Sequence, residues 1–192
     1  MMPRWSRVLL GVAAVLLVAT LSLPLWRISL EAPQYPEGLG MSIWADKITG
    51  NLRSINGLNH YIGMKEIHPE AIPELRLMPV VVMALGGLGL AAAAWGRRWG
   101  LFGWTALVLV AALVGLADFW KWGYDYGHNL DPTAAIKVPG MSYQPPLIGA
   151  KQMLNFRAVS VPAIGGWIAL AAMTIGVALS AVEVRRTRRQ PT

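Results

Sequence analysis

Apolar residues gather into four long runs along this chain: Arg7–Leu25, Leu77–Trp95, Leu101–Phe119 and Val161–Val182. Each approaches the ~20 residues that a helix needs to cross a ~30 Å hydrocarbon core. The pattern predicts an all-α transmembrane fold, a four-helix membrane bundle. It divides the chain into a first transmembrane helix (1–25), an extracytoplasmic segment (26–76), a transmembrane hairpin (77–119), a second extracytoplasmic segment (120–160), and a fourth helix with a basic tail (161–192). Only Gly96-Arg97-Arg98-Trp99-Gly100 joins the second run to the third, which forces those helices antiparallel. Small residues recur at spacing four: Gly87 and Ala91; Gly165 and Ala169; Ala172, Gly176 and Ser180. Such ridges are expected to seat neighbouring helices closely in lipid.

The two long segments carry a different pattern. Trp26-Arg27-Ile28-Ser29-Leu30-Glu31 alternates as a half-buried strand does, and Met41-Ser42-Ile43-Trp44 continues in that style. Tyr35-Pro36-Glu37-Gly38 reads as the turn between them. Residues 54–67 read as a short helix capped by Ser54 or Asn56 and ended by Pro69. Residues 121–160 are rich in Pro and Gly but keep aromatic and branched apolar residues, so they are expected to pack. The expectation is one small cap, a β-hairpin plus a short helix, built from both long segments.

Charge orients these elements. Arg4, Arg7, Arg97, Arg98, Arg185, Arg186, Arg188 and Arg189 lie in the three short segments against one acid, Glu183. The long segments and their boundary balance nine basic residues with nine acids, so the short segments hold the whole net charge of +7. Arginines in short loops stay cytoplasmic, which predicts cytoplasmic termini, an outward-facing cap and a multi-pass membrane protein. Trp5, Trp95 and Trp99 fall at the inner interface, and Trp26, Trp120, Trp122 and Trp167 at the outer one. The basic residues then serve topology and lipid contact, and nucleic acid is not an expected partner. The basic start followed by Val8–Ala19 also fits a signal peptide. No small-x-small site precedes Trp26 and the apolar run continues through Leu25, so an uncleaved helix is expected.

The chemistry on offer is sparse. No ionisable residue lies mid-span, which argues against a transporter or proton channel. No nucleophile elbow or phosphate loop is present, and a non-enzymatic role is expected. The chain has no cysteine, so disulfides and thiolate metal sites are excluded. All three histidines (His60, His68, His128) and Met41, Met64, Met141 and Met153 fall in the long segments. Imidazole with thioether suits copper. His60-x3-Met64-x3-His68 would share a helix face, but one ion cannot span its ~12 Å rise. The candidate copper ligands are therefore His60, Met64, His128 and Met141. The alternative is that these histidines bond to backbone while the methionines fill the core of the cap.

Several stretches carry a family resemblance: Pro24-Leu25-Trp26-Arg27-Ile28, Ala32-Pro33-Gln34-Tyr35-Pro36-Glu37-Gly38-Leu39, Ile55-Asn56-Gly57-Leu58-Asn59-His60-Tyr61-Ile62-Gly63-Met64, Tyr124-Asp125-Tyr126-Gly127-His128-Asn129-Leu130-Asp131-Pro132 and Lys137-Val138-Pro139-Gly140-Met141. Together they resemble the small four-helix membrane proteins encoded in gene clusters of the Sec-exported type of nitrous oxide reductase (NosB-like). The resemblance implies an accessory role in denitrification around a periplasmic copper enzyme, in its maturation or electron supply. It transfers no catalytic motif and no site residue. Implied partners are that enzyme or its maturation factors. The other expectation is a structural or electron-transfer subunit of a larger respiratory or photosynthetic membrane complex, contacting other membrane subunits through its aromatic outer surface.

Overall fold

The computed structural model describes residues 1–153 and 155–188. Four helices are long and apolar enough to cross a membrane. They are α1 (Arg4–Ala19, continued by a 3-10 turn at Thr20–Ser22), α3 (Glu74–Trp95), α4 (Arg98–His128) and α5 (Ile164–Arg188), with the short α2 (Leu52–Ile62) between the first two. α1 packs on α3 and α5, and α4 packs on the same two, so the four close into a ring. Leu10, Ala13, Leu101, Trp104 and Ala172 fill its centre. The outer faces stay apolar, with Val80 62% and Leu113 67% exposed. That surface suits lipid and would be unfavourable in water.

Close approach depends on glycine, and in α3 on different glycines from those the spacing suggested. Gly87 has open space around its α-carbon, and Ala91 is exposed. Gly86 and Gly89 face inward instead: a side-chain carbon on Gly86 would run into Val18, and one on Gly89 would lie 2.7 Å from both Ala14 Cβ and Trp104 Nε1. An all-round apolar helix gives no periodic cue to its inward face. The Ala172, Gly176 and Ser180 ridge does face the core. Gly176 abuts the Trp104 ring, and Ser180 Oγ lies 3.2 Å from Thr105 Oγ1. Trp104 Nε1 donates to the Leu85 carbonyl at 2.8 Å, which satisfies the one polar atom of a buried ring.

The short segments gather at one end of the bundle. Arg7 donates to the carbonyls of Ala93 (2.8 Å) and Ala94 (2.9 Å), placing a cation on the negative end of α3. Arg98 donates to Thr187 at 2.7 Å. The buried Ser6 hydroxyl donates to Glu183 Oε1 at 3.0 Å, and Arg186 pairs with the same carboxylate at 3.6 Å. The arginine-rich segments thus share one end, as the charge pattern implies.

The other end is a five-stranded antiparallel sheet, where a hairpin alone was expected. Its order is β3-β2-β1-β5-β4, from β1 (Trp26–Ala32), β2 (Tyr35–Ile43), β3 (Ile48–Gly50), β4 (Gly149–Met153) and β5 (Phe156–Pro162). The fold class is therefore mixed and not all-α. β1 sits between β2 of its own segment and β5 of the other, with Ile28 paired to both Met41 and Ser160. Both long segments thus form one unit. The hairpin turn falls at Pro33-Gln34, since Ala32 pairs with Tyr35. Tyr35–Gly38 lies inside β2, where the left-handed Gly38 (φ 74°) accompanies a register shift between Leu30 and Ala32.

Two helix boundaries also move. α2 begins at Leu52 and ends at Ile62 because Gly63 takes the left-handed conformation (φ 79°), and Met64 N–H returns to the Asn59 carbonyl at 2.9 Å. Neither Ser54 nor Asn56 caps it. Asn51 precedes it and docks on β2, its Oδ1 accepting from Gly40 N–H at 3.0 Å. α4 runs on to His128, beyond the expected end at Phe119. Its 31 residues rise about 46 Å, well past a ~30 Å core. α5 begins at Ile164, because Val161 and Pro162 belong to β5.

Candidate functional site

The cap is assembled from elements that continue directly out of the bundle. Pro24 ends the α1 region, since the residue before proline avoids helical geometry, and Leu23 is extended (φ −136°). Trp26 opens β1, donates through Nε1 to Ser160 Oγ at 2.8 Å and meets Phe119 of α4 edge-on at 5.5 Å. The buried Ser160 hydroxyl in turn donates a hydrogen bond to the Leu147 carbonyl at 3.0 Å. Three separate stretches thus meet at one indole and one hydroxyl.

The projecting end of α4 supports the second segment. Gly127 N-terminal to His128 is buried, and its carbonyl accepts from Tyr143 N–H at 3.0 Å. Tyr143 is 1% exposed and packs with Ile62, Met153 and Ala158, flanked by Leu30, Met64, Leu130, Met141 and Phe156. This second core lies between the sheet, the end of α2 and residues 130–143. Asp131 N–H donates to Gly63 O at 2.8 Å, and Ile136 N–H to Tyr61 O at 2.9 Å, so residues 131–136 run against α2. Asp131 turns that strap by accepting from Thr133 N–H (2.7 Å) and Thr133 Oγ1 (2.6 Å). These two hydrogen bonds hold its carboxyl below the usual range, helped by the nearby His60 and Lys137. Asn56 fixes the irregular segment after α2, accepting from Ile67 N–H at 2.8 Å and donating to Ile67 O at 3.1 Å.

No protein-family model matches this chain, and no curated protein matches it. The reading of its chemistry rests on its own residues.

The four candidate copper ligands divide. Met64 and Met141 pack into the cap core. His60 is exposed on α2 and lines a depression of about 500 Å³, open to the surface, with Arg53, Asn56, Tyr61 and Glu66. His128 is exposed at the end of α4, its ring stacked on Tyr124 at 4.0 Å and its Nδ1 3.0 Å from the Tyr124 carbonyl. The helix-face spacing of His60, Met64 and His68 does not exist in the fold, because Gly63 ends α2 before Met64. His68 lies between Glu66 (3.2 Å) and Glu70 (3.6 Å). Among the described residues, no group of three or more His, Cys, Asp or Glu side chains is placed to hold a metal ion.

Two features lie outside the ligand set named from the sequence. Met153, the most buried methionine of the long segments at 4%, belongs to the same core as Met64 and Met141. The projecting part of α4 also carries two aromatic stacks. Trp120, Tyr124 and His128 form one, with ring centroids 5.5 and 4.0 Å apart; Trp122 and Tyr126 form the other at 4.5 Å. Their spacing of four residues was the available signal, obscured because the helix was expected to stop at Phe119.

Proposed function

We propose that this protein is a non-enzymatic membrane accessory whose cap, held at a fixed height above the bilayer, recognises a protein partner. The carrying observation is the continuity between bundle and cap. α1 leads into β1, β5 leads into α5, and α4 projects beyond the membrane to support Tyr143. A cap on three such supports moves little relative to the bilayer, which suits docking at a set distance. Its polar side chains support a structural reading: Trp26 and the buried Ser160 tie β1 to β5, Asn51 ties the start of α2 to β2, and Asn56 ties α2 to the segment that follows it.

The resemblance carried by residues 24–141 gives this role its setting. The protein would lie in a bacterial inner membrane with cytoplasmic termini and present the cap to periplasmic nitrous oxide reductase, a copper enzyme, or to its maturation factors. The arginine-rich end supports that orientation. A second reading is favoured by the aromatic stacks on α4: a structural or electron-transfer subunit in a larger membrane complex, meeting other membrane subunits at the outer interface. Purification of the tagged full-length protein from native membranes, followed by mass spectrometry, separates the two. Recovery of a periplasmic copper enzyme or its maturation factors supports the first. Stoichiometric integral membrane subunits support the second, and recovery of lipid alone overturns both.

A further inference from the structure

Three of the four methionines in the long segments converge. Met153, Met64 and Met141 all pack into the core formed with Ile62, Tyr143 and Ala158. They arrive from three separate stretches of chain, each held by its own backbone contacts. Met64 follows the left-handed Gly63 and donates to the Asn59 carbonyl at 2.9 Å. Met141 follows the left-handed Gly140 (φ 74°) and donates to the Val138 carbonyl at 3.0 Å. Met153 closes β4, paired with Phe156 of β5. The backbone that carries each methionine is thus held by the fold and not by one adaptable loop.

A second observation points to a ligand in the same core. Tyr143 is 1% exposed, and its hydroxyl is buried without a hydrogen-bond partner. Buried polar groups in folded proteins are nearly always satisfied, and an orphaned one in a native core is commonly explained by a water or ion. Thioether sulfur is soft and uncharged. It selects Cu(I) over the hard cations, which prefer oxygen, and over Zn(II), which takes thiolate, imidazole or carboxylate. A monovalent ion also carries the smallest charge to bury in an apolar core. Met64 and Met141 are only half-buried, which gives an ion a way in.

We propose that Met64, Met141 and Met153 form a three-thioether Cu(I) site in the core of the cap, where the Tyr143 hydroxyl donates a hydrogen bond to a water or small anion that completes the coordination. The exposed His60 and His128 are not ligands of this site. The inference stands apart from the choice of partner, because metal binding is a property of the purified chain.

The test titrates the full-length protein in detergent with Cu(I), under reducing conditions, against a chromogenic Cu(I) chelator. The wild type should retain about one Cu(I) per chain. Its affinity should stay level from pH 8 to 5, because a thioether carries no proton, whereas an imidazole site weakens below about pH 6. Leucine preserves methionine's volume, so a Met64→Leu, Met141→Leu, Met153→Leu triple variant should keep the cap and lose the copper. A His60→Ala, His128→Ala variant should keep both. Release of all copper to the chelator by the wild type overturns the proposal. So does full retention by the triple variant, loss in the histidine variant, or a steep fall in affinity below pH 6. Should the triple variant unfold, Met64→Leu alone must weaken binding, and unchanged affinity there is equally decisive.

Discussion

Gly127→Ala tests whether the end of α4 supports the cap. A side-chain carbon at residue 127 would lie 2.5 Å from Gln144 Cα and 2.8 Å from Gln144 Cβ, and closer still to the Gln144 backbone nitrogen. Carbon atoms at optimal contact are about 3.5–4.0 Å apart, so residues 143–145 must retreat by about 1 Å. Overpacking of this kind costs about 1–3 kcal/mol. The retreat also strains the 3.0 Å bond from Tyr143 N–H to the Gly127 carbonyl, worth about 1 kcal/mol. Against this, alanine favours the helix over glycine by about 1 kcal/mol. The net expectation is a cap weakened by about 1–3 kcal/mol, because the clash falls on backbone that cannot rotate away. Amide exchange in β4 and β5 should then rise by about 5- to 150-fold. Gly123→Ala, one turn earlier, is the matched control. Its nearest neighbour across the gap is the flexible Gln144 side chain at 3.8 Å, so the helix gain should dominate and protection should hold or improve. Equal exchange in the two variants would refute the argument that α4 braces the second segment.

Three further outcomes follow from other parts of the fold. Reporter fusions at residue 98 should behave as cytoplasmic and fusions near residues 50 and 140 as external; an external signal at residue 98 would overturn the assigned orientation. Ser6→Ala should destabilise the bundle by about 1–3 kcal/mol in an unfolding titration in bicelles, since it takes a donor from the buried Glu183 carboxylate; unaltered stability would mean that Arg186 alone suffices. Because the Asp131 carboxyl is held below its ordinary value, the stabilisation it gives the 131–136 strap is complete at neutral pH and is lost as pH falls through that lowered pKa. Pepsin should therefore spare this strap near pH 5 and cut it only well below about pH 4, whereas Asp131→Ala should be cut at both; wild-type cutting already at pH 5 would contradict this.

The bundle was largely legible in the sequence and the cap only in outline. Apolar runs of about 20 residues flanked by arginine are a strong signal because lipid leaves the backbone few alternatives to a helix. Which side of α3 faces inward was not legible, as the exchange of Gly87 for Gly86 and Gly89 shows, whereas the Ala172, Gly176 and Ser180 ridge of α5 was. β1 was visible because Ile28 and Leu30 alternate with polar residues. β5 was hidden because its buried positions are the small Ala158 and Ser160, so its strongest apolar residues, Val159 and Val161, point to the less buried side. α2 was misplaced because Pro69 was taken as its stop, while the left-handed Gly63 ends it earlier. That boundary broke up the expected His60, Met64 and His68 face. Of the candidate ligands, the methionines lie together in the core, and the histidines lie on the surface for the same reason: each sits on the solvent side of a helix end.

The central claim is that the cap meets a protein partner while the bundle meets lipid. Photo-crosslinking amino acids placed at Tyr124 on the projecting end of α4, at Ala150 on the exposed edge strand β4, and at Leu113 on the outer face of the bundle test it in native membranes. The account predicts that irradiation joins the same protein to residues 124 and 150 and only lipid to residue 113. Protein adducts confined to residue 113, or none from residues 124 and 150, would contradict it.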